Sequence, residues 1–151
     1  MYTLDTDVLS FYLSEPQKYP HLCSKMEEAD AKALLCITVI TIEEMTAGAI
    51  AYVRNGHVQQ SEEIIKAYAY LFELTHDLKK FIALPFDKSA YDIYQRIPKN
   101  VRRGAVNDCR IAAIAMSKGY TVVTNNGKDF SRIEAATSVK VEYWVNARLD
   151  G

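Results

Sequence analysis

Cysteine is scarce. Cys23, Cys36 and Cys109 are the three in 151 residues, and they form no CxxC pair. An odd count without paired spacing argues against a disulfide framework and against a cysteine-rich zinc site. No run of about 18 apolar residues occurs, so no membrane-spanning helix is expected. The opening Met1-Tyr2-Thr3-Leu4-Asp5 puts an acid where a secretory signal has basic residues and then an apolar run. Reduced thiols and no leader make a cytoplasmic protein the expectation. Neither sign of charge is in excess: 18 Lys and Arg against 19 Asp and Glu leave a formal net charge of −1. That excludes nucleic-acid binding driven by overall basicity, though not by a local patch. Glycine (6) and proline (4) are few, and no Pro/Gly/Ser-rich linker, repeat or low-complexity tract divides the chain. Residues 1–151 therefore read as one domain. With 49% hydrophobic residues, a chain of this length buries roughly two-thirds of its unfolded surface and needs no staple to fold.

What is there alternates. Met1 to Leu4 reads as a short strand, Val8 to Leu13 as a helix, and Ser14 to Pro20 as a loop. Leu22 to Ala33 reads as a helix. The near-continuous apolar run Leu34 to Ile40 suits a parallel strand covered on both faces. Thr41, with Glu44 three residues on, reads as a capping box, and its helix runs towards Asn55-Gly56. Ser61 to Lys80 is a long amphipathic helix with Ile64, Ile65, Tyr68, Leu71, Phe72, Thr75 and Leu78 at helical spacing. Its apolar face is expected to pack on the sheet. Phe81 to Leu84 reads as a strand, Asp87 to Arg96 as a helix, and Pro98 to Gly104 as a basic loop. Asn107 or Asp108 opens an alanine-rich helix that Gly119 stops. Tyr120 to Thr124 is the next strand, Asn125 to Gly127 a turn, and Val139 to Val141 the last strand. Strand following helix throughout predicts an α/β class: a three-layer α/β/α sandwich around a central, mainly parallel sheet.

The acids fall at the ends of the expected strands. Asp5 and Asp7 follow the first, Glu43 and Glu44 the second, and Asp129 the one ending at Thr124, while Asp108 opens the alanine-rich helix. A parallel sheet brings such residues to one edge, where ligands of these folds bind. Carboxylates gathered without basic partners repel one another unless a cation is shared. Hard divalent cations, Mg²⁺ or Mn²⁺, take oxygen ligands of this kind. Any one of these acids alone also suits a helix cap.

The motifs add a resemblance. Leu4-Asp5-Thr6-Asp7-Val8-Leu9-Ser10 resembles the opening of PIN-domain ribonucleases, among them the VapC-type toxins of bacterial toxin–antitoxin pairs. Thr38-Val39-Ile40-Thr41-Ile42-Glu43-Glu44-Met45-Thr46-Ala47-Gly48 resembles the family's second block. Asp108 before Ile111-Ala112-Ala113-Ile114-Ala115 resembles the third, and Thr124-Asn125-Asn126-Gly127-Lys128-Asp129-Phe130 the fourth. The blocks occur in the family's order from Leu4 to Trp144. The resemblance implies Mg²⁺- or Mn²⁺-dependent hydrolysis of RNA phosphodiester bonds. It assigns Asp5, Glu44, Asp108 and Asp129 as the catalytic, metal-holding acids. Relatives place a fourth acid either within the turn or at the D/E-F position; here the turn holds Asn125 and Asn126, which points to Asp129, and Asp7 stands where relatives more often have Asn. Thr6, Asp7, Ser10, Thr124, Asn125 and Asn126 become supporting residues. It also implies an RNA substrate, a homodimer and a VapB-type antitoxin. The helix after Glu44 and the long helix 61–80 form a candidate groove for an antitoxin or a dimer partner.

Arg96, Lys99, Arg102, Arg103 and Arg110 surround Asp108, and such a patch suits contacts to RNA phosphates. Tyr12, Tyr91 and Tyr94 are candidates for stacking on unpaired bases. His21, His57 and His76 lie outside the acid blocks, and Trp144 reads as a packing residue. Two rival readings stand beside the ribonuclease. Asp5-Thr6-Asp7-Val8-Leu9 also resembles the opening of haloacid-dehalogenase-like phosphatases, with Asp5 as nucleophile and Asp7 as acid/base. A non-catalytic binding module, its acids serving as caps, is the other.

Overall fold

The computed structural model describes residues 1–146. The last five residues of the expected single domain lie outside that range. Five parallel strands form one sheet: β1 (Tyr2–Leu4), β2 (Leu35–Thr38), β3 (Ile82–Leu84), β4 (Thr121–Val123) and β5 (Lys140–Glu142), in the order β3-β2-β1-β4-β5. Thr3 is level with Cys36 on one side and Val122 on the other; Leu4 is level with Ile37 and Val123. Successive side chains point to opposite faces. Cys36 and Val122 accordingly join one buried cluster, while Leu4, Ile37 and Val123 join another.

Helices cover both faces, which makes the three-layer sandwich. The first cluster takes residues of α6 (Lys88–Arg96), α7 (Lys99–Gly104), α8 (Val106–Lys118) and α9 (Gly127–Ala136). The second takes residues of α1 (Thr6–Ser14), α2 (Pro20–Ala31), α3 (Val39–Arg54) and α5 (Glu63–Leu78), with a short α4 (Gly56–Gln59) between the last two. All four residues of β2 are buried, as a strand covered on both faces must be. Trp144 is buried against Tyr2, edge to face at 4.8 Å. Gly119 ends α8 with φ 70°, a left-handed conformation that glycine adopts without a Cβ penalty. No helix of the described residues is long and apolar enough to cross a membrane.

Several elements differ from expectation. The apolar run ends as a strand at Thr38, because the Thr38 hydroxyl accepts from the Thr41 N–H at 3.2 Å and caps α3 two residues before Ile40 ends. Thr41 is inside the helix, so the capping box at Thr41 and Glu44 does not form. The basic loop is helical: Pro98 precedes α7, whose last turn carries Arg102 and Arg103. Asn126 caps a further helix, α9, unread in the sequence; it buries Phe130 and Ile133, one turn apart. On α5 the buried residues are Ala67, Leu74 and Leu78, while Ile65, Tyr68 and Phe72 are 69%, 57% and 66% exposed. Much of the expected apolar stripe therefore faces outward, not onto the sheet.

Candidate active site

The sheet order makes one place special. From β1 the chain winds outward to β2 and β3, then returns to the other side of β1 as β4. The winding reverses between β1 and β4, and open parallel sheets bind ligands at such a switch point, beyond the carboxyl ends of the strands. Asp5 follows β1 there, and Thr124 follows β4. A cavity of about 390 Å³ opens at this edge, lined by Asp5, Thr6, Asp7, Ser10, Phe11, Glu44, Asp108 and Asn126.

Each acid is held by donors from a neighbouring element. Asp5 is 4% exposed. Its Oδ1 accepts from the Thr6 N–H at 2.8 Å, and its Oδ2 accepts from the Thr124 hydroxyl at 2.7 Å. Asp7 accepts from the N–H of Val8 at 2.7 Å and of Asn125 at 3.2 Å. The Thr6 hydroxyl lies 2.7 Å from Glu44 Oε1 and 3.0 Å from the Thr41 hydroxyl. Having one hydrogen, it serves the carboxylate. Asn126 Nδ2 donates to Asp108 Oδ2 at 3.0 Å and to Asp129 Oδ2 at 2.9 Å, so one amide ties two acids together. The Asn126 N–H in turn donates to the Thr124 hydroxyl at 2.9 Å. A continuous chain of hydrogen bonds thus runs from Asp129 and Asp108 through Asn126 and Thr124 to Asp5. Glu43 is exposed and takes no part; Asp129 reaches the site through Asn126 and is not on the cavity wall.

The electrostatics follow from crowding. Burial, then Asp7, push the Asp5 carboxyl well above the usual carboxylate range, against the pull of Thr124, and Asp108 pushes it further. Burial raises Asp7 too, opposed by the N–H groups of Val8 and Asn125. Burial, then Asp129 and Glu44, push Asp108 up to about 7. No lysine or arginine among the described residues forms an ion pair with any of these acids. Nor, among those residues, do three His, Cys, Asp or Glu side chains already sit as a metal-holding group. The Asn126 amide stands between Asp108 and Asp129, and the Thr6 hydroxyl is bonded to Glu44. The donor chemistry nonetheless fits a hard divalent cation: carboxylate oxygens, in excess, facing one cavity, with no positive partner.

The PIN-domain family profile matches residues 2–136. The chain belongs to the PIN-domain family. It is 26% identical, over 87% of its length and 79% of the relative's, to "Ribonuclease VapC1" of Methanocaldococcus jannaschii. Its fold is similar to that of DNA-bound VapBC from Salmonella typhimurium (TM-score 0.68, 24% identity, 95% of this chain and 97% of that one). It is similar also to VapBC-5 of Mycobacterium tuberculosis, a member of the VapBC family of toxin-antitoxin systems (TM-score 0.61, 21% identity, 93% and 96%).

Within this PIN domain, the structure brings together ten residues singled out from the sequence: Asp5, Thr6, Asp7, Ser10, Glu44, Asp108, Thr124, Asn125, Asn126 and Asp129. Sequence reasoning missed Phe11, on the cavity wall, and Thr41 as a buried neighbour of Thr6. Thr38 and Thr41 both fit a cap in the sequence; the structure uses Thr38, which frees Thr41 and Glu44. The basic residues lie apart. Arg96 and Arg103 are exposed on α6 and α7, and Lys99 is exposed at the start of α7. Arg102 and Arg110 lie against Tyr94. The three tyrosines do not act alike: Tyr12 packs against the second cluster, Tyr91 meets Phe86, and the Tyr94 ring is engaged by guanidinium groups.

Proposed function

We propose that this PIN domain is a Mg²⁺- or Mn²⁺-dependent endoribonuclease, a VapC-type toxin that hydrolyses RNA phosphodiester bonds at the acidic cavity in the cytoplasm. The observation that carries this reading is the convergence of Asp5 from the end of β1, Asp7 from α1, Glu44 from the second turn of α3 and Asp108 from the start of α8 on one cavity whose lining holds no lysine or arginine. PIN-domain nucleases in general use divalent ions, and this donor set suits one. Asp5, Glu44 and Asp108 would hold it, with Asp129 contributing through Asn126. Such an ion, when bound, lowers the pKa of a water and stabilises charge on a phosphate oxygen.

The chain's own residues do the positioning. Thr124 and the Thr6 N–H fix both oxygens of Asp5, the Thr6 hydroxyl aims Glu44, and Asn126 keeps Asp108 and Asp129 in register. Asp5 has both oxygens engaged and is almost fully buried, which does not favour the phosphatase reading that makes it a nucleophile. Arg96, Lys99, Arg102, Arg103 and Arg110 supply the attraction that a negative substrate needs near a negative site. A homodimer and a VapB-type antitoxin are the proposed partners. The exposed Ile65, Tyr68 and Phe72 of α5 support an interaction surface, since contiguous exposed apolar groups mark such surfaces.

The test is cleavage of a mixed tRNA and structured-RNA pool with Mg²⁺ or Mn²⁺, with EDTA, and by Asp108→Asn. Cleavage should vanish in EDTA and fall more than about a hundredfold in the variant, since even groups that only orient metal ligands cost 10–100-fold. Cleavage that persists in EDTA, or undiminished in Asp108→Asn, refutes the reading. Absence of cleavage and of metal binding in folded protein favours the binding module.

A further inference from the structure

Charge stands without its complement in a second place. Tyr94 on α6 has two guanidinium groups against its ring, with Arg102 Cζ 5.2 Å and Arg110 Cζ 5.7 Å from the centroid. The ring is held edge-on by Phe86 at 6.1 Å and packs against the first buried cluster. Arg110 Nη1 donates to Asn107 Oδ1 at 3.1 Å, and Arg102 Nη1 to Gln95 Oε1 at a long 3.4 Å. Neither arginine forms an ion pair with a described residue. Arg102 Nε is buried without a hydrogen-bond partner, the one such side-chain atom among the described residues. Two cations on one ring repel each other, and the ring offsets only part of that repulsion. The arrangement presents guanidinium donors suited to an anion with several acceptor oxygens.

We propose that Tyr94, Arg102 and Arg110 form a clamp for a backbone phosphate of single-stranded RNA, distinct from the phosphate that reacts. The proposal rests on the nuclease reading and gives it a binding subsite. Guanidinium forks match phosphate oxygens in pairs, and a small rotation off the ring would let Arg102 Nε join Nη2 on the same phosphate. Tyr94 is then a platform for the arginines and not for a base. Position sets the role. Arg110 lies two residues beyond Asp108 on α8, about 200° around the helix. The clamp therefore sits across the helix from the cavity, and it governs binding, not chemistry.

The test is fluorescence anisotropy of a labelled, mixed-sequence 12-nucleotide single-stranded RNA with the full chain in EDTA. The double variant Arg102→Lys/Arg110→Lys keeps the charge and loses the forks. It should bind about tenfold more weakly. Lys118→Gln, at the far end of α8, should bind like wild type. Thermal melting checks that each is folded; should the double variant fail to fold, Arg110→Lys alone should bind about threefold more weakly. Equal binding by the lysine variants overturns the clamp, as does absent RNA binding by wild type. Displacement of the RNA by an equal concentration of a glutamate-rich peptide of the same charge also overturns it, assigning the cluster to an acidic protein segment. RNA binding without metal-dependent cleavage leaves the clamp standing and the nuclease reading fallen; cleavage with unchanged binding by the double variant does the reverse.

Discussion

Two unbalanced clusters of charge flank the start of α8, and they are built in opposite ways. Asp5 is buried, the other acids are half-buried around one cavity, and hydroxyl and amide donors hold them close. Arg102 and Arg110 are half-buried too, but they are laid on an aromatic ring. Acids crowded around a buried carboxylate repel one another at a cost in stability. The arginines have a ring face that offsets part of their repulsion. The acidic side should therefore report itself in folding, pH and metal dependence, and the basic side in association and its salt dependence.

The largest expected effect on stability is that of pH without metal. Asp5, Asp7 and Asp108 are all raised in the folded chain, Asp108 to about 7. Between the ordinary carboxylate value and the raised one, the folded state binds more protons than the unfolded. Stability then falls as pH rises through that window. In EDTA the melting temperature should drop by several degrees from pH 5.5 to 8.5, a range above the titration of ordinary surface carboxylates. Mg²⁺ or Mn²⁺ should recover most of the loss at pH 8.5, because a ligand that binds only the folded state stabilises it. A melting temperature flat or rising over that range would erase the contrast between the clusters.

A smaller, more local effect is expected at Thr124. Its hydroxyl donates to Asp5 and accepts from the Asn126 N–H, and the residue is fully buried. Thr124→Val keeps the shape and removes both bonds. It should cost about 1–3 kcal/mol, or roughly 3–10 °C in melting temperature for a chain of this size. The Thr124 bond favours the ionised form of Asp5, so the cost should be greater at pH 8.5 than at pH 5.5. An equal cost at both would mean that Thr124 serves packing alone.

What could be read in advance divides along the same line. That Asp5 and Asp108 meet at one cavity was legible because a strand end and a helix start fix where each points; Glu44, inside α3, was placed there by its motif, and the alternation of strand and helix was legible from period and apolar runs. Thr38 against Thr41 was not, since both fit a cap and the β-branched run hides where the strand stops. The tie that Asn126 makes between Asp108 and Asp129 depends on α9, whose first residues read only as a turn. The pairing of Tyr94 with Arg102 depends on α7 being a helix, which folds Arg102 back onto α6; as a loop, the basic segment carried no such contact. On α5, helical spacing alone could not tell a face turned inward from one turned outward.

The smallest effect sharpens the comparison from the basic side. Arg103 is exposed, on the same short helix as Arg102, and forms no ion pair with a described residue. Arg103→Gln should leave stability within about 0.5 kcal/mol, as surface substitutions do, and should leave the pH profile of unfolding unchanged. If its guanidinium meets an RNA phosphate, the slope of log affinity against log salt should fall by about 0.7 for a single strand. An Arg103→Gln variant that melts differently but keeps its salt slope would mean that the basic segment works as structure. The division of labour between the two clusters would then not hold.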